Sequence, residues 1–390
     1  MGAPVLSQAV TAGTSLVLQV IAARTLGLTG FGIFALCLSL LVTASALYTG
    51  YIGDSLAVLD RQDRDTRAAL ACSALIAWAL CFVAGLGTIL VLRQGDVGTA
   101  LVYGAMLVLW LGEETFRRLL IARLAFWRLV INDLVYFAVT ILVLLGISLV
   151  AGPMTLTALF GAMAIGAVAA IGVGIAQVPR AELGELRPGL AGMRMVASFA
   201  AWRALQASLR PAALLASRVF VTNLLSLAAV GVLEAGRLVV APLQVIINGA
   251  GSFLLAGFAA GEGSSRNLSR YAVALLLGTT VVGGAGLALF AGPLGELMTG
   301  AGVEPALVLG WVGYLAVWAA GLPYVTEVVA RRRSRTVFLV RLVDSVVGLC
   351  LVAIALALGA GVVAVPWLMS VGGIYSVLRL RRLAIRTRPA

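Results

Sequence analysis

The sequence predicts an all-α, polytopic membrane protein of about twelve transmembrane helices, in two six-helix lobes related by a pseudo-two-fold axis along the membrane normal. Three observations carry this. Of 390 residues, 62% are hydrophobic and 11% charged, with mean hydropathy +1.08, whereas a soluble domain carries roughly 25% charged residues. Apolar runs of span length recur along the whole chain, broken by glycine, proline and arginine clusters. The basic charge also alternates from one connection to the next.

In the first half the runs predict helices near 4–23, 31–53, 68–92, 98–116, 129–150 and 156–177. In the second half they fall near 196–221, 228–257, 271–291, 305–329, 336–359 and 361–379. Between the halves lies the longest polar segment, from Gln177 to Met195, with Pro179, Pro188 and mixed charge. The expected organisation is an N-terminal lobe over 1–180, a cytoplasmic linker over 181–195, a C-terminal lobe over 196–382 and a basic tail over 383–390.

All 28 basic residues are arginine. Twenty-one fall on connections of one parity, among them Arg61, Arg64, Arg67, Arg117, Arg118, Arg123, Arg128, Arg331, Arg332, Arg333 and Arg335, and in the C-terminal tail. Arg24 and Arg93 stand on the other side, and five lie inside predicted helices. Positive charge accumulates in cytoplasmic loops, so both termini are expected in the cytoplasm. The net charge of +12 is then topogenic rather than a nucleic-acid footprint.

The N-terminus lacks a basic n-region and a small-residue cleavage site, and is not expected to be a cleavable signal. Leu6 stands where a myristoylation motif needs Ser or Thr. Cys37, Cys72, Cys81 and Cys350 lie in apolar runs without metal-ligand spacing. With no histidine, imidazole catalysis and imidazole metal ligation are excluded, so proton coupling would have to run through carboxylates. No Walker A motif, strand-anchored glycine fingerprint or catalytic carboxylate pair appears, and no cofactor is implied. Glu113 and Glu114, being adjacent, point to different helical faces.

The halves echo one another. Glu114 is followed by Arg118 and then Asp133, and Glu327 by Arg331 and then Asp344. Arg24 before Gly32-Ile33-Phe34-Ala35 parallels Arg218 before Gly231-Val232-Leu233-Glu234-Ala235. A duplication with an even number of helices per half gives two lobes able to rock about a midplane site.

Ionisable groups inside spans are costly and mark function by default. On helix seven Arg203, Gln206, Arg210 and Ser217 lie within about 60° of one another at 100° per residue, with Arg218 roughly 60° to the other side. Together with Arg24 and Arg237 they form a candidate anion-binding stripe, since guanidinium groups match phosphate oxygens. Asp133, Glu234, Glu327 and Asp344 are candidates for a coupling ion. Neutralisation within the Glu234–Arg237 and Arg341–Asp344 pairs is the competing reading for those residues.

The run Gln19-Val-Ile-Ala-Ala-Arg24-Thr-Leu-Gly27 with Phe31-Gly-Ile-Phe-Ala-Leu36 resembles the start of polysaccharide flippases of the multidrug/oligosaccharidyl-lipid/polysaccharide exporter superfamily. Val230–Ala235 with Pro242 resembles the eighth helix of that family, and Glu114–Arg118 its fourth. The resemblance implies alternating access that moves an undecaprenyl-diphosphate-linked oligosaccharide from the cytoplasmic to the outer leaflet of a bacterial cell membrane. Arg24 and Arg237 sit in places comparable to cavity arginines of the related lipid II flippases. The two extra C-terminal helices of those flippases have no counterpart here, which argues against peptidoglycan precursor as substrate. The implied partners are the bilayer, the polyprenyl-diphosphate-linked glycan and, as candidates, glycan-assembly enzymes, with no nucleic acid. A multidrug-type antiporter of the same superfamily, or an integral-membrane polysaccharide polymerase or ligase, are the alternatives.

Overall fold

The computed structural model describes residues 2–59, 63–93, 96–150, 152–179, 188–249, 265–330 and 333–386. Arg331, the first part of the 181–195 linker, residues 250–257 of the expected eighth span and the end of the 383–390 tail lie outside them.

The first half comprises α1 (Gly2–Thr25), α2 (Gly27–Tyr48), a π-turn (Thr49–Gly53) leading into α3 (Asp54–Val58), α4 (Arg64–Leu92), α5 (Val97–Ala122), α6 (Phe126–Val150) and α7 (Leu156–Gln177). The second comprises α8 (Met193–Leu224), α9 (Leu227–Val239), α10 (Ala241–Gly249), α11 (Ser265–Leu289), α12 (Ala291–Thr299), α13 (Pro305–Ala330), α14 (Ser334–Ala357) and α15 (Ala364–Arg386). Among the described residues nine helices are long and apolar enough to cross a bilayer. The pair α9–α10 is bent by 55° where one continuous helix was expected, and taken as one span it brings the number to ten. The two other long helices, α8 and α15, are richer in arginine. The chain is therefore a multi-pass membrane protein, and the all-α, twelve-span, two-lobe layout agrees with the expected one.

Helix starts follow local chemistry. Asp63, Asp96, Thr155 and Ser226 each accept a hydrogen bond from the backbone N–H three residues on, capping α4, α5, α7 and α9. An oxygen at this position satisfies one of the orphan donors of the first turn. Beside Asp63 and Asp96, the hydroxyls of Thr66 and Thr99 donate to the same carboxylates.

Two compact units result. One holds Met1–Leu18 and Leu36–Ala212, the other Gln19–Ala35 and Ala213–Ala390. On α8 the division comes after Ala212, one residue beyond Pro211, which lacks the N–H that a helix interior needs.

In the first unit α5 packs on α4 and α7, and α7 on α6. In the second, α13 packs on α11 and α15, and α15 on α14. The same order of contacts is thus used twice. Starts of α5, α6 and α7 at Val97, Phe126 and Leu156 recur at Pro305, Ser334 and Ala364, a constant offset of 208 residues.

A different offset governs the first two helices of each half, and the second unit shows why. Gly32 abuts the Leu227 carbonyl oxygen while Gly231 abuts the Leu28 carbonyl oxygen, leaving no room for a Cβ at either glycine. The contact is reciprocal, as across a two-fold axis, and the equivalent residues, Gly32 with Gly231 and Leu28 with Leu227, are 199 residues apart. This register sets Gln19, not Arg24, opposite Arg218 in the repeat, and aligns Arg24 with Asn223. Under the 208-residue offset Asp344 takes the place of Tyr136 rather than that of Asp133, and Glu327 that of Leu119. The carboxylate echo read from spacing therefore does not mark equivalent positions.

Candidate functional site

Among the described residues, each unit contains a buried ion network. In the first, α5 contributes Glu113, Glu114, Arg117 and Arg118, and α6 contributes Asn132 and Asp133. Arg117 stands at the centre. Its Nε donates to Asp133 Oδ1 at 2.8 Å and lies 3.7 Å from Glu113 Oε1, and its Nη1 donates to Glu114 Oε2 at 2.8 Å. The Nη2 group donates to Thr11 Oγ1 on α1 at 3.2 Å, and Ser7 Oγ donates to the other Asp133 oxygen. Arg118 Nε closes the far side on Glu114 Oε1 at 2.7 Å. Asn132 Nδ2 donates to Glu113 Oε1 at 3.0 Å. Glu113 and Glu114 are 2% and 3% exposed.

This network corrects one sequence expectation. Arg117 and Arg118 are not loop charges: α5 continues to Ala122, and Arg117 is buried within it. Glu113 and Glu114 do diverge, but one guanidinium, with five donors in a fixed fork, bonds Glu114 and reaches within salt-bridge distance of Glu113. Two acids placed three and four residues before an arginine are the signal that could have revealed this.

A cavity of about 150 Å³ opens beside the network, lined by Thr11, Thr14 and Ser15 of α1, Trp110, Glu113 and Arg117 of α5, and Asp133 and Tyr136 of α6. Trp110 meets Tyr136 edge-on at 5.2 Å between ring centroids and donates its Nε1–H to Ser45 Oγ at 2.8 Å. Leu38, Leu41 and Val42 of α2 and Met163 of α7 complete the apolar wall.

The second network lies where α8 meets α9. Arg218 Nε and Nη2 both reach Glu234 Oε1, at 2.7 and 2.6 Å, and Arg237 Nε reaches Glu234 Oε2 at 2.6 Å. Arg237 Nη2 also donates to Gln19 Oε1. Arg218 and Glu234 are buried, Arg237 only partly. Trp311 of α13 fixes α9 by donating to the Leu233 carbonyl at 3.0 Å. Two guanidinium groups thus share one carboxylate, and both carboxylate oxygens are taken.

The candidate stripe on helix seven is divided among several environments. Arg218 and Arg237 come together, with Glu234 between them. Arg203 instead pairs with Asp54 of α3, with Nη2 2.7 Å from Oδ2, in an exposed setting. Close by, a Cβ on Gly50 of the π-turn would come within 2.8 Å of the Arg203 carbonyl oxygen. Gln206 and Arg210 are half-buried on the same helix. Arg24 is exposed and donates to the Leu297 carbonyl at 3.1 Å, at the end of α12, which closes on left-handed Gly300. Among the coupling-ion candidates, Asp133 is committed to Arg117 and Ser7. Glu327 is buried and Asp344 half-buried. Arg341, beside Asp344 on α14, lies over the Trp318 ring at 4.1 Å. No group of three or more acidic or thiol ligands suited to a metal occurs among the described residues.

No family model matches the sequence, and no curated protein matches it either. Solved structures do match its fold. An inward-facing multidrug resistance MATE family transporter of the MOP superfamily superposes with TM-score 0.75 at 13% identity, covering 97% of this chain and 96% of that one. The lipid II flippase MurJ, in an inward closed conformation, gives TM-score 0.76 at 13% identity, covering 99% and 87%. A MOP superfamily transporter from Pyrococcus furiosus Vc1, described as having a binding pocket of reverse polarity that suggests a different function, gives TM-score 0.67 at 13% identity, covering 100% and 96%. Over nearly its whole length this chain has the fold of the MOP superfamily transporters.

Proposed function

We propose that this chain is an alternating-access flippase that moves an undecaprenyl-diphosphate-linked oligosaccharide from the cytoplasmic to the outer leaflet of a bacterial cell membrane, with both termini in the cytoplasm. The observation that carries the reading is the cluster Arg218–Glu234–Arg237–Gln19. Two guanidinium groups against one carboxylate leave an excess positive charge inside a span, where an unbalanced charge is expensive and functional by default. The partly exposed Arg237 keeps donors beyond those bound to Glu234 and Gln19. A diphosphate ester offers the oxygens that such a group recognises. Arg24, in the same unit, extends the reading as a contact to headgroup or sugar. The lipid II flippase among the matching structures supports a lipid-linked substrate, and the fold supports transport rather than polymerisation or ligation.

The second reading, a multidrug-type antiporter for organic cations, draws on the acidic excess of the first unit's network and on the MATE structures. One experiment separates the two. Deleting the gene should leave lipid-linked glycan on the cytoplasmic leaflet, restored by the wild type and not by Arg237→Glu at normal membrane abundance. Unchanged outer-leaflet glycan, together with lost efflux of a cationic dye, would move the assignment to the antiporter.

A further inference from the structure

The network in the first unit does not balance. Glu113, Glu114 and Asp133 bring three carboxylates, while Arg117 and Arg118 bring two guanidinium groups. Uncompensated charge away from water is strongly unfavourable, and such a group tends to neutralise instead. The remaining contacts show where the imbalance falls. Both oxygens of Glu114 are held by arginine, and both oxygens of Asp133 are held by Arg117 and Ser7. Glu113 Oε2 alone among these oxygens is buried without a hydrogen-bond partner, and Glu113 lines the cavity. The hydroxyl of Tyr136, which lines the same cavity, and Asn132 Oδ1 are likewise buried without a hydrogen-bond partner.

We infer that Glu113 is a proton-binding site, which takes up one proton on Oε2 from the cavity and thereby neutralises the network. A hydronium ion reaching the cavity gives its proton to Oε2 and leaves as water. The cavity is large enough to hold water. The ligand is a proton rather than a metal cation because the groups on the other oxygen are donors. Asn132 Nδ2–H and the Arg117 guanidinium both face Oε1, and their positive hydrogens oppose a second cation. Among the described residues, these charged or titratable groups stand around Glu113. On its own helix these are Glu114, Arg117 and Arg118, and on α6 Asp133 and Tyr136. From α1 come the hydroxyls of Ser7 and Thr11, and from α2 Tyr48, bonded to Thr115 at 2.6 Å. The walls contributed by α2 and α7 at the cavity are apolar. The second half has no such site at the equivalent place, since the 208-residue offset puts Gly321 and Leu322 where Glu113 and Glu114 stand.

The inference deepens the transport reading by naming the residue through which a proton gradient would act, and its test uses neither substrate nor transport. Failure of one therefore leaves the other standing. The full chain is purified into nanodiscs of phosphatidylethanolamine and phosphatidylglycerol, and pH-difference infrared spectra are recorded in the region of the protonated-carboxyl stretch. The wild type should show such a band at pH 7. Glu113→Gln should abolish it, and Glu113→Asp should shift its frequency. Should Glu113→Gln fail to elute as a monodisperse species, Glu113→Asp carries the test. No band in the wild type, or a band unmoved by Glu113→Asp, overturns the assignment. A band that disappears on adding sodium chloride at constant pH also overturns it, in favour of a metal cation.

Discussion

Arg117 Nε and Asp133 Oδ1 stand 2.8 Å apart inside the first unit, sixteen residues apart in sequence and on successive helices. The pair ties α5 to α6 at the level of the cavity, and Arg117 there serves three carboxylates at once. Removing a buried charge leaves its partners uncompensated, which typically costs about 3–5 kcal/mol. Arg117→Ala should therefore lower thermal stability sharply in a fluorescence melt of the detergent-solubilised chain. Asp133→Asn should cost less, because Glu113 and Glu114 still balance the two arginines.

Arg203 and Asp54 form a pair of another kind. Their side chains are 45% and 32% exposed, and exposed ion pairs contribute roughly 0–1 kcal/mol. A double-mutant cycle of Arg203→Ala and Asp54→Ala should give a coupling energy below about 1 kcal/mol that falls with added salt. A coupling of several kcal/mol would show that the pair is dry in solution.

The reciprocal glycines make a steric prediction. At Gly32 and Gly231 a Cβ would run into the backbone of the opposing helix, which cannot give way as a flexible side chain can. Gly32→Ala and Gly231→Ala should each sharply reduce the yield of monodisperse protein. Gly13→Ala and Gly172→Ala, whose added Cβ would meet nothing within 4 Å, should stay within about 0.5 kcal/mol of the parent or gain slightly from helix propensity.

Asp63 and Asp96 cap α4 and α5 outside the spans. Hydrogen bonds from Thr66 and Thr99 hold both carboxyls below the ordinary aspartate range. A depressed folded value means that their contribution is complete above the unfolded value of about 3.9. It is lost as pH falls through the folded value. Amide exchange at Thr66 and Thr99 should accelerate in that acid window, and Asp63→Asn should remove the acid dependence at Thr66 while keeping the cap. Exchange that does not change with pH beyond its intrinsic chemistry would count against the capping role.

Much of the fold was legible because its cause is local. Apolar runs of span length, the helix caps and the punctuation by glycine and arginine follow from solvation and backbone hydrogen bonding, which each segment satisfies largely by itself. The near-miss at Arg117 and Arg118 has a local cause as well. Hydropathy reads a cluster of charge as the end of a span, whereas opposite charges that neutralise one another let α5 run on to Ala122.

The sequence by itself determined that this chain lies in a membrane, that it crosses it many times in two related halves, and that any proton chemistry belongs to carboxylates. Only the tertiary structure decided the register of the repeat, because backbone contacts at Gly32 and Gly231 set it, and residue identities at Arg24 and Arg218 do not. Tertiary structure alone also decided which charges meet. Arg218, Glu234 and Arg237 converge from two helices, Arg203 turns to Asp54, and Glu113 is left with one oxygen unmatched. Each of those outcomes depends on the paths by which separate helices bring side chains within a few ångströms, and sequence spacing along one helix holds no record of them.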